Sequence, residues 1–392
     1  MIAAIAGVAL TSCVKDEVTA PQSQGAKITF DKPVLYQNEN TKANVYGEIG
    51  TITEGGVNYT YPKAEDFVVY AVKHEGDFTS WTDATTALFN GFTVKYDDNV
   101  NGWAPKTTEN GYYYWDAGKK LSFAATSPAD LEQANWGGVD KRSYGKNGLT
   151  ITDFEVAADA EKHFDLLFSK RAVNMTSAEM QHGAGSYSGL PIVFQHALSS
   201  IRFSVANSSV ETVVLTGIEI DGVKYKGTFN ENIDEQGSLY ERGEGGNVAP
   251  EWTVADAKIS APYVAFEGNV AFRAEARYVT ELVAQAVTEG KMDNISNQLL
   301  VMPQELTDDA VVTVHYTVNG AANSKTVKLK GLQSTNVNVT PNQVTGTINK
   351  WEMGKRYTYR LYYSSETAAK DKIYFSPSTE GWQDVDVIIV PL

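Results

Sequence analysis

The chain of 392 residues offers few side chains whose type and spacing could do chemistry. Its five histidines, His74, His163, His182, His196 and His315, are scattered, and none sits in a His-Glu-x-x-His or comparable metal-binding spacing. His196 falls on the apolar phase of a strand, which points to a core residue with a hydrogen-bonding partner instead of a ligand. The adjacent carboxylates Asp97-Asp98 and Asp308-Asp309 each stand at a strand end and read as acidic turns. No nucleophile elbow is present. Asp97, Asn99, Asn101 and Gly102 imitate the first half of a calcium loop, but Thr108 stands where the bidentate glutamate belongs and no helix precedes it. A hairpin turn is the better reading. The glycine-rich run Gly183 to Gly189 misses the dinucleotide spacing and precedes a strand instead of following one. These patterns nominate no catalytic residue, no metal and no cofactor, and the expectation is a protein that is not an enzyme.

The remaining reactive group is Cys13, the sole thiol. It closes an apolar run, Ile2 to Leu10, behind the small residues Thr11 and Ser12. That arrangement resembles a bacterial lipobox, in which the cysteine becomes the first residue of the mature chain and is acylated. The run is too short to span a bilayer, for which about 20 residues are needed, and it lacks a basic stretch ahead of it. The expectation is a partial signal peptide over residues 1–12, and a membrane connection made only through the lipid on Cys13. Residues 13–26 are polar and aperiodic, a tether. Its opening Lys15, Asp16 and Glu17 resemble the short acidic signal that carries Bacteroidetes lipoproteins to the outer face of the outer membrane; a solvated linker is the plainer alternative.

Composition limits what these groups can be mounted on. One cysteine excludes a disulfide framework and a cysteine-based zinc site. A net charge of −15 argues against nucleic acid and against a basic membrane-binding face. Thirty-two glycines and 21 tyrosines, with many Val and Thr residues, favour strands joined by tight turns. The length suggests two or three domains of about 100 to 200 residues each.

In order, Lys27 to Tyr36 alternates loosely around Pro33 and reads as an edge or irregular first strand. Phe67 to Val72 is a continuous apolar run, suited to a strand buried on both faces. Gly111 to Pro128 crowds Tyr112, Tyr113, Tyr114 and Trp115 ahead of Leu121 and Phe123. Such aromatics can stack on a sugar, but cross-strand pairs inside a sandwich are the commoner use. Pro191 to Val205 alternates, with a phase change between Leu198 and Ile201 that implies a bulge or bend. Val213 to Ile220 and Val223 to Phe229 read as a hairpin about Asp221-Gly222. Ala310 to Val318 and Ser324 to Lys330 read as another, with Asn319-Gly320 opening a longer turn. Glu275 to Glu289 has weakly helical spacing. The last residues, Val385 to Leu392, form an apolar strand that must pair with something.

Taken together, the Trp115 to Pro128 hairpin, Asp165 to Phe168, Phe194 to Phe203, Leu299 to Gln304, Trp351 to Tyr363 and Ile373 to Trp382 resemble the fimbrillin-like family of Bacteroidales, the type V pilus subunits and their relatives. The resemblance implies an all-β fold of two transthyretin-like Greek-key β-sandwich domains in tandem, set here at 27–207 and 208–392. It implies a structural or adhesive fimbrial subunit, exported as a lipoprotein to the outer membrane surface. Its partners would be other subunits, joined by strand addition, together with host or bacterial surface ligands. Ile28, Phe30 and Val34 would then belong to an exchanged N-terminal strand, and Val385, Val387 and Ile389 to a donor strand. Alternatively, the terminal strand completes its own domain. Family maturation by cleavage after arginine finds no arginine before Arg142. A non-polymerising surface lipoprotein that binds glycans is the competing role.

Overall fold

The computed structural model describes residues 26–30, 34–36, 46–48, 51–54, 57–60, 66–78, 87–97, 99–100, 102–105, 111–129, 141–169, 171–177, 189–190, 192–207, 209, 211–232, 250–272, 299–336, 343–363, 383–384 and 387–391. The first strands are β1 (Val34–Tyr36), β2 (Tyr46–Glu48), β3 (Thr51–Glu54) and β4 (Val57–Thr60). They lead to β5 (Phe67–His74), β6 (Phe89–Asp97), β7 (Gly102–Pro105) and β8 (Lys120–Ser127). The middle of the chain forms β9 (Arg142–Gly145), β10 (Gly148–Glu155), β11 (Leu167–Ser169), β12 (Ala172–Met175), β13 (Val193–His196) and β14 (Ser199–Asn207). Next come β15 (Val213–Asp221), β16 (Lys226–Asn230), β17 (Glu251–Val254) and β18 (Tyr263–Phe272). After these lie β19 (Leu299–Val301), β20 (Gln304–Glu305), β21 (Val311–Val318), β22 (Ala321–Lys328) and β23 (Leu332–Asn336). The last are β24 (Gln343–Ile348), β25 (Lys350–Trp351), β26 (Lys355–Tyr363), β27 (Gln383–Asp384) and β28 (Val387–Pro391). Among the described residues the only helical element is a 3-10 turn at Ala160–Lys162, so the fold is all-β.

A nine-stranded sheet runs β2-β1-β13-β11-β8-β5-β6-β7, with β12 also on β8. As its unbroken apolar sequence requires, β5 is buried on both faces. Val68, Tyr70 and Val72 meet one core, and Phe67, Val69 and Ala71 the other. The first core lies under a four-stranded sheet, β17-β16-β10-β9, which contributes Tyr144, Leu149, Ile151, Phe154 and Phe229. The second core is covered by Ile28, Phe30, Trp103, Trp115, Leu190 and Ile192. A further sandwich pairs the seven-stranded sheet β19-β14-β26-β28-β23-β24, with β27 on β26, and the four-stranded sheet β18-β15-β21-β22. Ile201, Phe203, Tyr357, Tyr359 and Leu361 of its first sheet share a core with Leu215, Ile218, Val312 and Val314 of its second. The phase change expected near Leu198 is the break at Ala197 and Leu198, where the chain leaves the nine-stranded sheet as β13 and enters the seven-stranded one as β14.

Three sequence expectations meet specific geometry. Pairing of β10 with β16, Ile151 opposite Phe229, crosses the position between 207 and 208, so β16 and β17 join the sheet of β9 and β10. The hairpin about Asp221-Gly222 does not form. Gly222 turns the chain at φ +73°, and a β-carbon there would lie 2.0 Å from the Asp309 carbonyl oxygen. This tight crossing sends β15 to β18 and β21 while β16 joins β10 and β17. The other hairpin forms with a shorter turn than expected. Val318 pairs directly with Ala321, and Asn319 (φ +49°) and Gly320 (φ +85°) supply the two left-handed residues that a tight two-residue loop needs. Glu275 to Glu289 lies outside the described residues.

Candidate functional site

The site assembled by the fold is the seat of the N-terminal segment on the nine-stranded sheet. Residues 26–30 lie in extended form between two parts of the chain. On one side Ile28 N donates to Tyr113 O (2.8 Å), and Trp115 N donates to Ala26 O (2.9 Å). Phe30 N donates to Trp103 O (2.7 Å), and Trp103 N returns to Phe30 O (3.0 Å). On the other side Leu190 N donates to Thr29 O (2.9 Å). The backbone is thus held as a strand, while alternation sends Ile28 and Phe30 into the core. Phe30 is fully buried, edge-on to Phe67 (5.8 Å between centroids) and to Phe123 (5.4 Å). Behind these rings, Phe194 packs on Phe67 and Trp115 on Phe123. Burial of Ile28 and Phe30 is worth about 1.5–3 kcal/mol each. Val34 lies further on, in β1, opposite Val193 in a parallel pairing.

The rim of this seat carries charge. Lys27 Nζ stands 3.9 Å from the centre of the Tyr112 ring, a cation–π contact. The Tyr112 hydroxyl donates to Asp97 Oδ2 (2.5 Å), while Asp97 Oδ1 accepts from the Asn99 backbone (3.0 Å) and side chain (2.9 Å). Asp97 therefore holds a hairpin tip closed by its pairing with Gly102, as the turn reading of Asp97 to Gly102 expects. The aromatic strand after Gly111 faces inward: Trp115 and Phe123 are buried, and Tyr113 is half-buried against Phe89 and Phe92. Tyr96, on the β6 rim, is the exposed large aromatic among the described residues.

At the other end of the chain, β28 is an interior strand. It runs parallel to β26, Tyr359 opposite Ile388 through Tyr362 opposite Pro391, and antiparallel to β23, Ser334 opposite Ile388. Val387 and Ile389 are within it, and Val385 lies outside the described residues. In this chain the strand lies between β26 and β23 of the seven-stranded sheet. Cys13, Lys15, Asp16 and Glu17 also lie outside the described residues.

Between these ends sits a buried polar cluster that no sequence pattern pointed to. Glu231, just after β16, accepts from Leu149 N of β10 (2.7 Å), and Arg171 Nε donates to the Tyr144 hydroxyl (2.8 Å). Burial raises the Glu231 carboxyl to about 7, although the Leu149 amide, Arg171 and Tyr144 each pull it down. Burial also pushes the Tyr144 phenol well above its ordinary range. The partners come from separate strands and loops, so spacing along the chain carries no signal of them. His196 is buried with Nδ1 2.7 Å from Asp165 Oδ2, the partnered core histidine that its position suggested. Among the described residues, no group of three His, Cys, Asp or Glu side chains could hold a metal ion.

Comparison with known proteins adds the following. Among solved structures, a proposed cell adhesion protein from Bacteroides uniformis aligns at TM-score 0.42 and 11% identity, covering 87% of this chain and 94% of its own. A fimbrial protein from Bacteroides vulgatus aligns at 0.40 and 14%, covering 76% and 88%. Another proposed cell adhesion protein, from Parabacteroides distasonis, aligns at 0.38 and 14%, covering 93% and 94%. No curated protein matches the chain. The family assignment rests instead on the sequence: the profile described as fimbrillin-like matches residues 57–382, most of the chain, and the protein belongs to that family.

Proposed function

We propose that this protein is a surface subunit of a fimbria, structural or adhesive in role, that joins its neighbours by strand exchange. The observation that carries the reading is the seating of residues 26–30. This segment has the backbone pairing of a strand and two buried anchors, yet it is held only by isolated bridges, to β7 at Trp103, to Tyr114 and to Leu190. Its departure would bare a ready-made groove of aromatic side chains, and an incoming strand could replace both its hydrogen bonds and its anchors.

Three of the sheet edges carry features that discourage strand addition. On β22, Lys325 pairs with buried Val314 and therefore sits on the core-facing side of an exposed edge, a charge that discourages pairing. Two register shifts interrupt the pairing of β18 with β15. The short edge strand β7 ends at Pro105. The reading assigns no bond-making chemistry to the chain.

Export follows from the N-terminus in this proposal: Cys13 carries the lipid, and Lys15, Asp16 and Glu17 direct the protein to the outer face of the outer membrane. Mass spectrometry of the N-terminal peptide from cell-surface material should find either acylated Cys13 or a new terminus near residue 31. An unmodified terminus ahead of Cys13 would refute the lipoprotein part. For assembly, the full chain, cut at a protease site placed across residues 31–33, should exchange its resident segment for an added strand peptide of residues 26–31, read as a mass change by native mass spectrometry. A cut chain that keeps residues 1–30 at every peptide concentration, or sheds them and takes up no strand, rules out strand exchange through this groove.

A further inference from the structure

We infer that the strand received by this groove comes from an unlike subunit, one carrying an aromatic residue at the place of Phe30, and not from the C-terminal strand of a second copy of this chain. The inference rests on the strand-exchange reading above and names its partner. The resident segment is the template. It presents Lys27, Ile28, Thr29 and Phe30 in turn, with Phe30 fully enclosed by Phe67 and Phe123, and with Phe194 and Trp115 behind them. The pocket is therefore ring-shaped and ring-lined. Edge-to-face contacts of this kind reward an aromatic beyond the area it buries. An aliphatic guest would leave part of the pocket unfilled, and rigid aromatic walls collapse poorly onto such a gap.

The chain's own last strand does not match this template. Its sequence from Asp384 reads Asp-Val-Asp-Val-Ile-Ile-Val-Pro-Leu, without an aromatic residue. Registers that put Val385 or Val387 in the Ile28 place put Val387 or Ile389 in the Phe30 pocket. Those same registers set Asp384 or Asp386 where Lys27 stands over the Tyr112 ring. A carboxylate there faces the negative side of the ring, and Asp97 lies just beyond, held to the Tyr112 hydroxyl. The register with Ile388 in the Ile28 place sets Val387 over the ring and avoids the charge, yet it leaves Val390 in the Phe30 pocket, so shape disfavours the strand in each of these registers. Moreover, β28 is interior to its own sheet, so donating it would part β26 from β23. A strand that repeats the pattern basic, β-branched, small, aromatic satisfies the seat at each position.

The test uses the full chain, expressed without lipidation, labelled on its single thiol Cys13, and cut at a protease site introduced across residues 31–33. Competitor peptides are then added and release of the labelled segment is followed by fluorescence anisotropy. Three peptides suffice: residues 26–31 as they stand, the same peptide with Phe30→Val, and residues 384–392. The first should displace the label, and the other two should each need at least about tenfold more peptide, about 1.4 kcal/mol of affinity. Displacement by residues 384–392 at equal or lower concentration overturns the unlike partner but leaves strand exchange standing. Failure of all three peptides, the template included, removes the strand-exchange reading and this inference with it.

Discussion

The two ends of the described chain are both extended and apolar, yet they are held in opposite ways. Residues 26–30 are joined to their surroundings by isolated bridges and a few backbone bonds, to Trp103 of β7, Tyr113, Trp115 and Leu190, and by two deeply buried side chains. The other end, β28, is laid into the middle of a sheet, with a partner strand on each side. Loss of the first uncovers a groove; loss of the second splits a sheet in two. The N-terminal attachment is therefore local and replaceable, whereas the C-terminal one is architectural. For the exchange proposed above, the N-terminal seat is the end whose loss leaves the paired strands of both sheets in place.

The sharpest way to break the comparison is to remove residues 385–392. Among the described pairings β23 and β24 would then lose their link to β26, so the chain should lose its cooperative transition or its soluble expression. A calorimetric midpoint within about 4 °C of the parent, the scale of a 1 kcal/mol change in a small domain, would show that β28 is dispensable. Next in size, Phe30→Ala should cost about 3–5 kcal/mol in chemical denaturation, through lost transfer energy and the cavity left among rings. A cost below about 1 kcal/mol would mean that the pocket collapses readily and has little shape of its own.

Glu231→Gln provides a control away from both ends. Glu231 binds its proton more tightly folded, at about 7, than unfolded, near 4.5. The native state thus holds more protons between those values, and its stability falls as pH rises through that window, then levels off above 7. The variant should remove a decline on the order of 2–3 kcal/mol between pH 4.5 and 7. Parallel curves for parent and variant would contradict the raised value. The Phe30→Ala loss, by contrast, should be the same at both ends of that range. Smallest of all, Tyr112→Phe removes the hydrogen bond to Asp97 and should cost about 1–2 kcal/mol, measured by the same denaturation.

How much of this was legible depended on whether the physics was local. Phe67 to Val72 announces a doubly buried strand because every position in it is apolar, and the alternation around Ile28 and Phe30 marks the side that turns inward. The change of phase near Leu198 marks the passage from β13 to β14. What could not be read is which strand lies beside which. Asp221-Gly222 has the composition of a hairpin turn, but its backbone is pressed against Asp309, so the chain crosses between sheets there. Likewise the Glu231 cluster and the pairing of β10 with β16 join residues distant along the chain, and nothing in their spacing foretells the contact.

One feature of the register bears on force. Phe30 pairs in parallel with Leu190, and β1 with β13; β13 leads directly into β14, which runs parallel to β26, and β26 in turn parallel to β28. Tension applied between the two termini therefore drags each end segment lengthwise along a neighbour held from the opposite side. The hydrogen bonds of these parallel pairings share that load together, whereas the antiparallel ones, Phe30 with Trp103 and β28 with β23, are not loaded in this way. Forced unfolding is governed by how fast the native state can open, and a sheared pairing opens slowly. A subunit pulled end to end in a fibre would grip hardest in the direction in which it is pulled, while peeling from the side would meet far less resistance.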